Sequence, residues 1–257
     1  MIGIFDSGVG GLSVFREIRK VLPGQSYVYY SDNSHCPYGE KSKEYITDRA
    51  RTITRELIER GAQIIVVACN TATAAAISTL RDEFPVKFIG MEPAVKPAAA
   101  MTRTGVVGVL ATAGTLKATK YIDTREKWAQ DVRIVEHIGE GFVELVEDCD
   151  TDSQKAFEVV ERSLRPLLDA GADTVVLGCT HYPFLTETIK KVAAAYHAGS
   201  NIDSMFYIID PAPAVARHLL EVMESEAISE SAPEGFSIEL LSSGNPKTLQ
   251  KTYRTLI

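Results

Sequence analysis

The sequence predicts an α/β protein made of two pseudo-symmetric halves with mostly parallel sheets. Three observations carry this. Two short β-branched runs, Ile64-Ile65-Val66-Val67-Ala68 and Thr174-Val175-Val176-Leu177-Gly178, read as strands buried on both faces, the pattern of a parallel sheet. Each run ends in a cysteine triplet, Cys69-Asn70-Thr71 and Cys179-Thr180-His181. The residues ahead of the two runs align without a gap, Leu57-Ile58-Glu59-Arg60-Gly61-Ala62 against Leu167-Leu168-Asp169-Ala170-Gly171-Ala172, at an offset of 110 from position 69 to 179. In open α/β sheets ligands bind at the carboxyl ends of the strands, which is where both thiols are expected.

The first half opens with the strand Ile2-Gly3-Ile4-Phe5. A polar turn, Asp6-Ser7-Gly8-Val9-Gly10-Gly11, leads into a helix with Leu12, Phe15 and Ile18 on one face. Strand, glycine turn and helix make an anion site, but the spacing matches neither the dinucleotide fingerprint nor the P-loop. Tyr27-Val28-Tyr29-Tyr30 is the next strand, and Ser31 to Gly39 is a loop dense in polar residues, Pro and Gly. Ser42 is placed to cap a helix striped with Ile46, Ala50, Ile53 and Leu57, which Gly61 ends. After Cys69 comes a small-residue helix from Thr71 to Phe84, then the strand Val86 to Gly90. Glu92 to Pro97, with two prolines, reads as a crossing between halves.

The second half repeats the frame. Val106 to Leu110 is a strand, and the turn after it carries Thr112 where the first half carries Ser7, but Ala111 where it carries Asp6. Val132 to Val135 is a strand. Gly139 to Asp148 holds Glu140, Glu144, Glu147 and Asp148 on a helical segment, a pattern ordinarily found on a solvated face. Gln154 to Ala170 is a helix, and Pro183 stands at the opening of another. Phe206 to Ile209 is a late strand, followed by a helix around Ala214 to Val222 and a polar surface loop from Glu224 to Glu234. Phe236 to Leu241 alternates like a half-exposed edge strand, and this tail is expected to fold back onto the first half.

At 257 residues the chain has room for one large domain or two smaller ones. Its net charge of −7 disfavours nucleic acid and anionic membrane as partners, and no apolar run reaches membrane-spanning length. The start, Met1-Ile2-Gly3-Ile4-Phe5, reads as a strand rather than a signal peptide, so a cytoplasmic location is expected. Thiols stay reduced in that compartment, and none of Cys36, Cys69, Cys149 and Cys179 forms a C-x-x-C pair, so neither a disulfide frame nor a zinc site is expected.

Two thiols at strand ends, each at the start of a helix, suit acid–base work, because the helix dipole favours the thiolate. Asp6 and His181 are candidate auxiliaries that hold or accept the thiol proton. Ser7, Asn70, Thr71, Thr112, Thr115 and Thr180 offer hydroxyls and an amide to carboxylate oxygens, which suits a small diacid or amino acid. One base removes the α-proton, the other returns a proton to the opposite face, and configuration inverts. The competing reading is that buried cysteines simply pack. A duplicated pair, each followed by a polar dipeptide, argues against it, whereas Cys36 and Cys149 have no repeated counterpart and are read as packing.

At Phe5-Asp6-Ser7-Gly8-Val9-Gly10-Gly11-Leu12, Pro37-Tyr38-Gly39, Ala68-Cys69-Asn70-Thr71-Ala72, Gly114-Thr115, Gly178-Cys179-Thr180-His181-Tyr182-Pro183 and Ile209-Asp210 the chain resembles the cofactor-independent aspartate/glutamate racemase family, its glutamate-specific members in particular. The resemblance implies two α/β lobes, residues 1–95 with 209–257 and residues 96–208, with the active site in the cleft between them. It implies racemisation of L-glutamate to D-glutamate for peptidoglycan synthesis, with no cofactor and no metal, commonly in a homodimer. Carried over by position, Cys69 and Cys179 are the two catalytic bases. Asp6 assists the first, and His181 with Glu147 the second. Ser7, Tyr38, Gly39, Asn70, Thr71, Thr115 and Thr180 contact the substrate. One departure is Asp210-Pro211-Ala212-Pro213, where the family pattern continues with Ser-Gly after the aspartate.

Three other readings remain at this point. One is an aspartate racemase or related isomerase of a small diacid. Another is a two-lobed ligand-binding protein without turnover. The third is a Cys-His hydrolase using Cys179 and His181, which is disfavoured because residues two apart on one turn rarely reach each other and because it leaves Cys69 without a role.

Overall fold

Strand β1 (Ile2–Asp6) opens the chain and leads through a glycine turn to helix α1 (Leu12–Val21) in a computed structural model that describes residues 1–128, 130–198, 205–228 and 235–257. There follow β2 (Ser26–Ser31), α2 (Lys43–Glu59), β3 (Ile64–Val67), α3 (Asn70–Glu83) and β4 (Lys87–Gly90). Next come α4 (Val95–Met101), β5 (Val106–Ala111), α5 (Ala113–Leu116), α6 (Thr119–Trp128), β6 (Arg133–Ile138), α7 (Phe142–Glu147), α8 (Gln154–Asp169), β7 (Thr174–Gly178), α9 (Thr186–His197) and β8 (Tyr207–Ile209). The chain ends with α10 (Ala212–Ser225), β9 (Ser237–Ser242) and α11 (Pro246–Leu256). It divides into two compact units, Met1–Glu92 with Ala212–Ile257, and Pro93–Pro211.

The first unit holds a five-stranded sheet in the order β4-β3-β1-β2-β9, with every pairing parallel. Helices cover it because parallel strands need long crossovers. All four residues of β3 are fully buried, as its unbroken apolar sequence requires. Each such Ile or Val contributes about 1.5–3 kcal/mol by leaving water. The edge strand β9 pairs with β2 through Ser26 opposite Ser237 to Ser31 opposite Ser242, so the tail does complete the first half's sheet.

The second unit holds a four-stranded parallel sheet in the order β6-β5-β7-β8. Read from the other side, that order is the order of β4-β3-β1-β2 with each strand replaced by its repeat, so the sequence duplication is a duplication of topology. The match extends to the helix ends. Gly61 ends α2 with φ +92°, its N–H bonding Ile58 O while Ala62 N–H bonds Leu57 O; Gly171 follows α8 with φ +89°, its N–H bonding Leu168 O while Ala172 N–H bonds Leu167 O. Both are Schellman closures, which glycine favours because it has no Cβ to clash at positive φ.

Two local expectations are corrected. The Glu92–Pro97 stretch is not all crossing: α4 begins at Val95 and Pro97 lies in its first turn, where a missing N–H costs nothing. The polar loop expected over 224–234 begins later, since α10 runs to Ser225, and residues 229–234 lie outside the described residues. No described helix is long and apolar enough to cross a membrane.

Candidate active site

In the first unit, Cys69 is the N-cap of α3. Its backbone is extended, and its Sγ accepts from Ala72 N–H at 3.4 Å. That donor and the helix dipole both favour the thiolate. The register of β1 on β3 brings Ser7 beside Cys69, and the two side chains meet at 3.7 Å between Sγ and Oγ. Asp6 is fully buried and accepts from Gly8 N–H at 3.0 Å, which closes the turn after β1. Thr71 is buried on α3, and the Oδ1 of Asn70 is buried with no hydrogen-bond partner among the described residues. Tyr38 and Gly39 lie in a 3-10 turn, Tyr38–Glu40, that packs against α3.

In the second unit, Cys179 follows β7 at the matching position, but the local structure differs. The chain turns through a short 3-10 helix, Tyr182–Leu185, and α9 begins only at Thr186. Cys179 is therefore not a helix N-cap, which corrects the expectation of equivalent helix starts. The cause is Pro183, which lacks the N–H that an unbroken helix would use from there. A histidine supplies the partner instead. His181 is 2% exposed, its Nδ1 lies 3.7 Å from Cys179 Sγ, and its Nε2 lies 2.7 Å from Glu147 Oε1. Positions 179 and 181 do reach each other, contrary to the expectation for residues two apart, because His181 takes a helical conformation that folds its ring back onto the sulfur.

Glu147 is thereby lifted out of the solvated face predicted for its helix. It is 23% exposed at the side chain and ends α7, while Glu140, Glu144 and Asp148 are exposed. Thr112 caps α5, accepting from Thr115 N–H at 3.3 Å, and the two hydroxyls lie 3.1 Å apart. Extending the β5–β7 register by one residue sets Thr112 beside Cys179, as Ser7 is set beside Cys69. Thr180 is buried next to the thiol. Burial, followed by the charge of Cys179, pushes the Tyr182 hydroxyl well above the ordinary phenol range. Gly178 allows β7 to pass β5 closely: a Cβ there would stand 2.7 Å from Ala111 Cβ and 3.1 Å from Leu110 O.

The family model described as Asp/Glu/Hydantoin racemase matches residues 2–219 of this sequence. The chain belongs to that family.

Within the Asp/Glu/hydantoin racemase family, curated relatives include a glutamate racemase of Methylococcus capsulatus, 50% identical over 88% of this chain and 80% of that protein. A glutamate racemase of Herpetosiphon aurantiacus is 44% identical over 99% of this chain and 97% of its own length. Among solved structures, the Escherichia coli glutamate racemase in complex with L-glutamate and the activator UDP-MurNAc-ala superposes with a TM-score of 0.82 at 34% identity, covering 98% of this chain and 94% of that one.

One group near the first thiol is absent from the sequence reading. Asp32 is fully buried, and Arg49 clasps it with Nε to Oδ2 at 2.9 Å and Nη2 to Oδ1 at 2.7 Å. His35 Nδ1 lies 2.9 Å from the same Oδ1, and the Tyr38 hydroxyl donates to Oδ2. The available signal was an aspartate in the loop ahead of Pro37-Tyr38-Gly39 with a helical arginine 17 residues on.

Proposed function

We propose that the protein interconverts L- and D-glutamate with two cysteine bases and no cofactor, in the cytoplasm and as a homodimer, supplying D-glutamate for peptidoglycan. One observation supports this most strongly. The repeated strand–turn unit presents a thiol at the same position in both halves, each beside a hydroxyl and each with its own polar partner, the Ala72 N–H for Cys69 and the His181 ring for Cys179.

The chemistry follows from the two settings. A thiolate at one position takes the α-proton, leaving a planar carbanion that the substrate carboxylate delocalises. The thiol at the other position gives its proton to the opposite face. Each turnover ends with the two sulfurs in exchanged protonation states. Cys69 takes the proton of the D isomer and Cys179 that of the L isomer, with Asp6 and His181–Glu147 as the respective proton partners. Ser7, Asn70, Thr71, Tyr38 and Gly39 on one side, and Thr112, Thr115 and Thr180 on the other, hold the substrate's charged groups. The curated relatives are glutamate racemases at 44–50% identity, which favours glutamate over aspartate as substrate.

The test is solvent exchange. Purified protein in D2O, with no added cofactor, is expected to place deuterium at the α-carbon of both glutamate enantiomers. Absence of exchange with either enantiomer would end the proposal, and faster exchange of aspartate would reassign the substrate.

A further inference from the structure

Glu147 reaches His181 from the end of a short helix, and the side chain next to His181 is packed against the start of that helix. α7 has six residues, Phe142–Glu147, with Phe142, Leu145 and Val146 buried. A helix of this length does not hold its place by itself, so tertiary contacts must aim it. At its start the chain leaves β6 through Gly139. Tyr182, the residue after His181, lies against that glycine. It is 1% exposed, its hydroxyl donates to Gly139 O at 3.4 Å, and its ring meets Phe142 edge-on with centroids 4.9 Å apart and planes at 67°. The turn Tyr182–Leu185 that begins with this residue packs on α7.

Gly139 is not among the glycines at positive φ, so its backbone is open to other residues. What excludes a side chain there is the Tyr182 ring. A Cβ at 139 would stand 2.6 Å from Tyr182 Oη, 2.7 Å from Tyr182 Cζ and 3.0 Å from Phe142 Cδ2. The ring therefore occupies the space of the missing side chain and touches the first residue of α7 as well. The turn bearing His181 and the helix bearing Glu147 are keyed together at this point. The hydrogen bond they share has little tolerance: from the 2.7 Å between His181 Nε2 and Glu147 Oε1, a displacement of about 1 Å leaves hydrogen-bonding range.

Resting on the reading of His181 and Glu147 as the proton partners of Cys179, we infer that Tyr182 is a positioning residue for the second base. Its ring, seated between Gly139 and Phe142, holds α7 against the turn after Cys179 and so keeps Glu147 on the imidazole. The ring does this and not the hydroxyl, whose contact with Gly139 O is long.

The experiment reads the hydrogen bond and not turnover. The full-length, substrate-free protein is labelled with 15N at its five histidines, and the ring N–H protons are recorded by NMR. A buried N–H donating to a carboxylate gives a downfield signal protected from exchange, assigned to His181 by its loss in His181→Asn. Glu147→Gln marks where the signal goes when the carboxylate is replaced. Gly139→Ala drives a methyl into the ring, and Tyr182→Leu removes the ring. Each is expected to move the signal to the Glu147→Gln position or to lose it to exchange, and Tyr182→Phe is expected to keep it. A merely structural role would lower the Tm of Gly139→Ala and Tyr182→Leu and leave the signal in place. That result overturns the inference, as does loss of the signal in Tyr182→Phe or its absence from the parent protein. Should Gly139→Ala not fold, the Tyr182 pair decides alone: a signal kept in Tyr182→Leu, or lost in Tyr182→Phe, overturns it. Missing deuterium exchange with glutamate would sink the racemisation reading and leave this signal as readable as before.

Discussion

His181 Nε2 stands 2.7 Å from Glu147 Oε1, and the Nδ1 of the same ring faces Cys179 Sγ at 3.7 Å. An ionised Glu147 fixes the proton on Nε2 and leaves Nδ1 to exchange a proton with sulfur. The second thiol thus has a carboxylate–imidazole pair where the first has a helix start.

Glu147→Gln is expected to lower kcat about tenfold to a hundredfold, since the amide no longer stabilises an imidazolium. The equilibrium constant between enantiomers is unity by symmetry, so kcat/KM must fall equally in both directions. The asymmetry appears in the primary deuterium isotope effect, which should grow more with L-glutamate than with D-glutamate. Equal growth would place Glu147 outside the Cys179 step.

Cys69→Ser and Cys179→Ser should each reduce racemisation by about a thousandfold or more, because a hydroxyl is a far weaker base at neutral pH. A glutamate analogue with a leaving group on the β-carbon needs only one base to lose its α-proton and eliminate. Each variant should process one enantiomer of such an analogue, with opposite preference. Loss of both reactions in both variants would contradict the division of labour.

Arg49→Ala leaves the fully buried Asp32 carboxylate without its strongest partner. We expect a loss of about 2–3 kcal/mol at neutral pH, below the roughly 3–5 kcal/mol of a fully buried broken pair because Arg49 is 22% exposed. The sign with pH follows from the depressed Asp32 carboxyl. In the parent protein its stabilisation is fully present above the ordinary carboxylate range and is lost as pH falls through the lower, folded value. The penalty of the variant should therefore be greatest near neutrality and shrink below about pH 4, as Asp32 takes up a proton. Urea unfolding across that range measures it, and a penalty that does not change with pH would refute the pairing.

Gly178→Ala forces a Cβ against the backbone of β5, directly before the second thiol. Overpacking of this kind costs about 1–3 kcal/mol, or a Tm lower by roughly 3–10 °C. Activity should fall further than the lost stability explains, because Cys179 moves with the strand. Gly24→Ala, where a Cβ would meet nothing within 4 Å, is the matched control and should leave both unchanged.

Much of the frame is legible in the sequence. The runs before Cys69 and Cys179 are short, β-branched and followed by polar triplets, so strand, edge and thiol come together. What stays hidden depends on distance along the chain. Asp32 in a polar loop looks like any turn residue until Arg49 comes round on α2 and Ser34 binds Ser243 at a separation of 209 residues. Glu147 reads as surface because periodicity cannot show that His181 lies beneath it. The different turn after Cys179 was visible in Pro183, whose missing N–H delays α9.

The pairing of β9 with β2 has a consequence for synthesis. The unit formed by Pro93–Pro211 is continuous, whereas the one begun by Met1 is completed by Ala212–Ile257. On the ribosome the Pro93–Pro211 segment is positioned to complete its unit before the first unit can, because the first unit also needs residues 212–257 to emerge. Nascent chains stalled before residue 212 should protect the middle segment from protease and leave the first 92 residues open to cleavage.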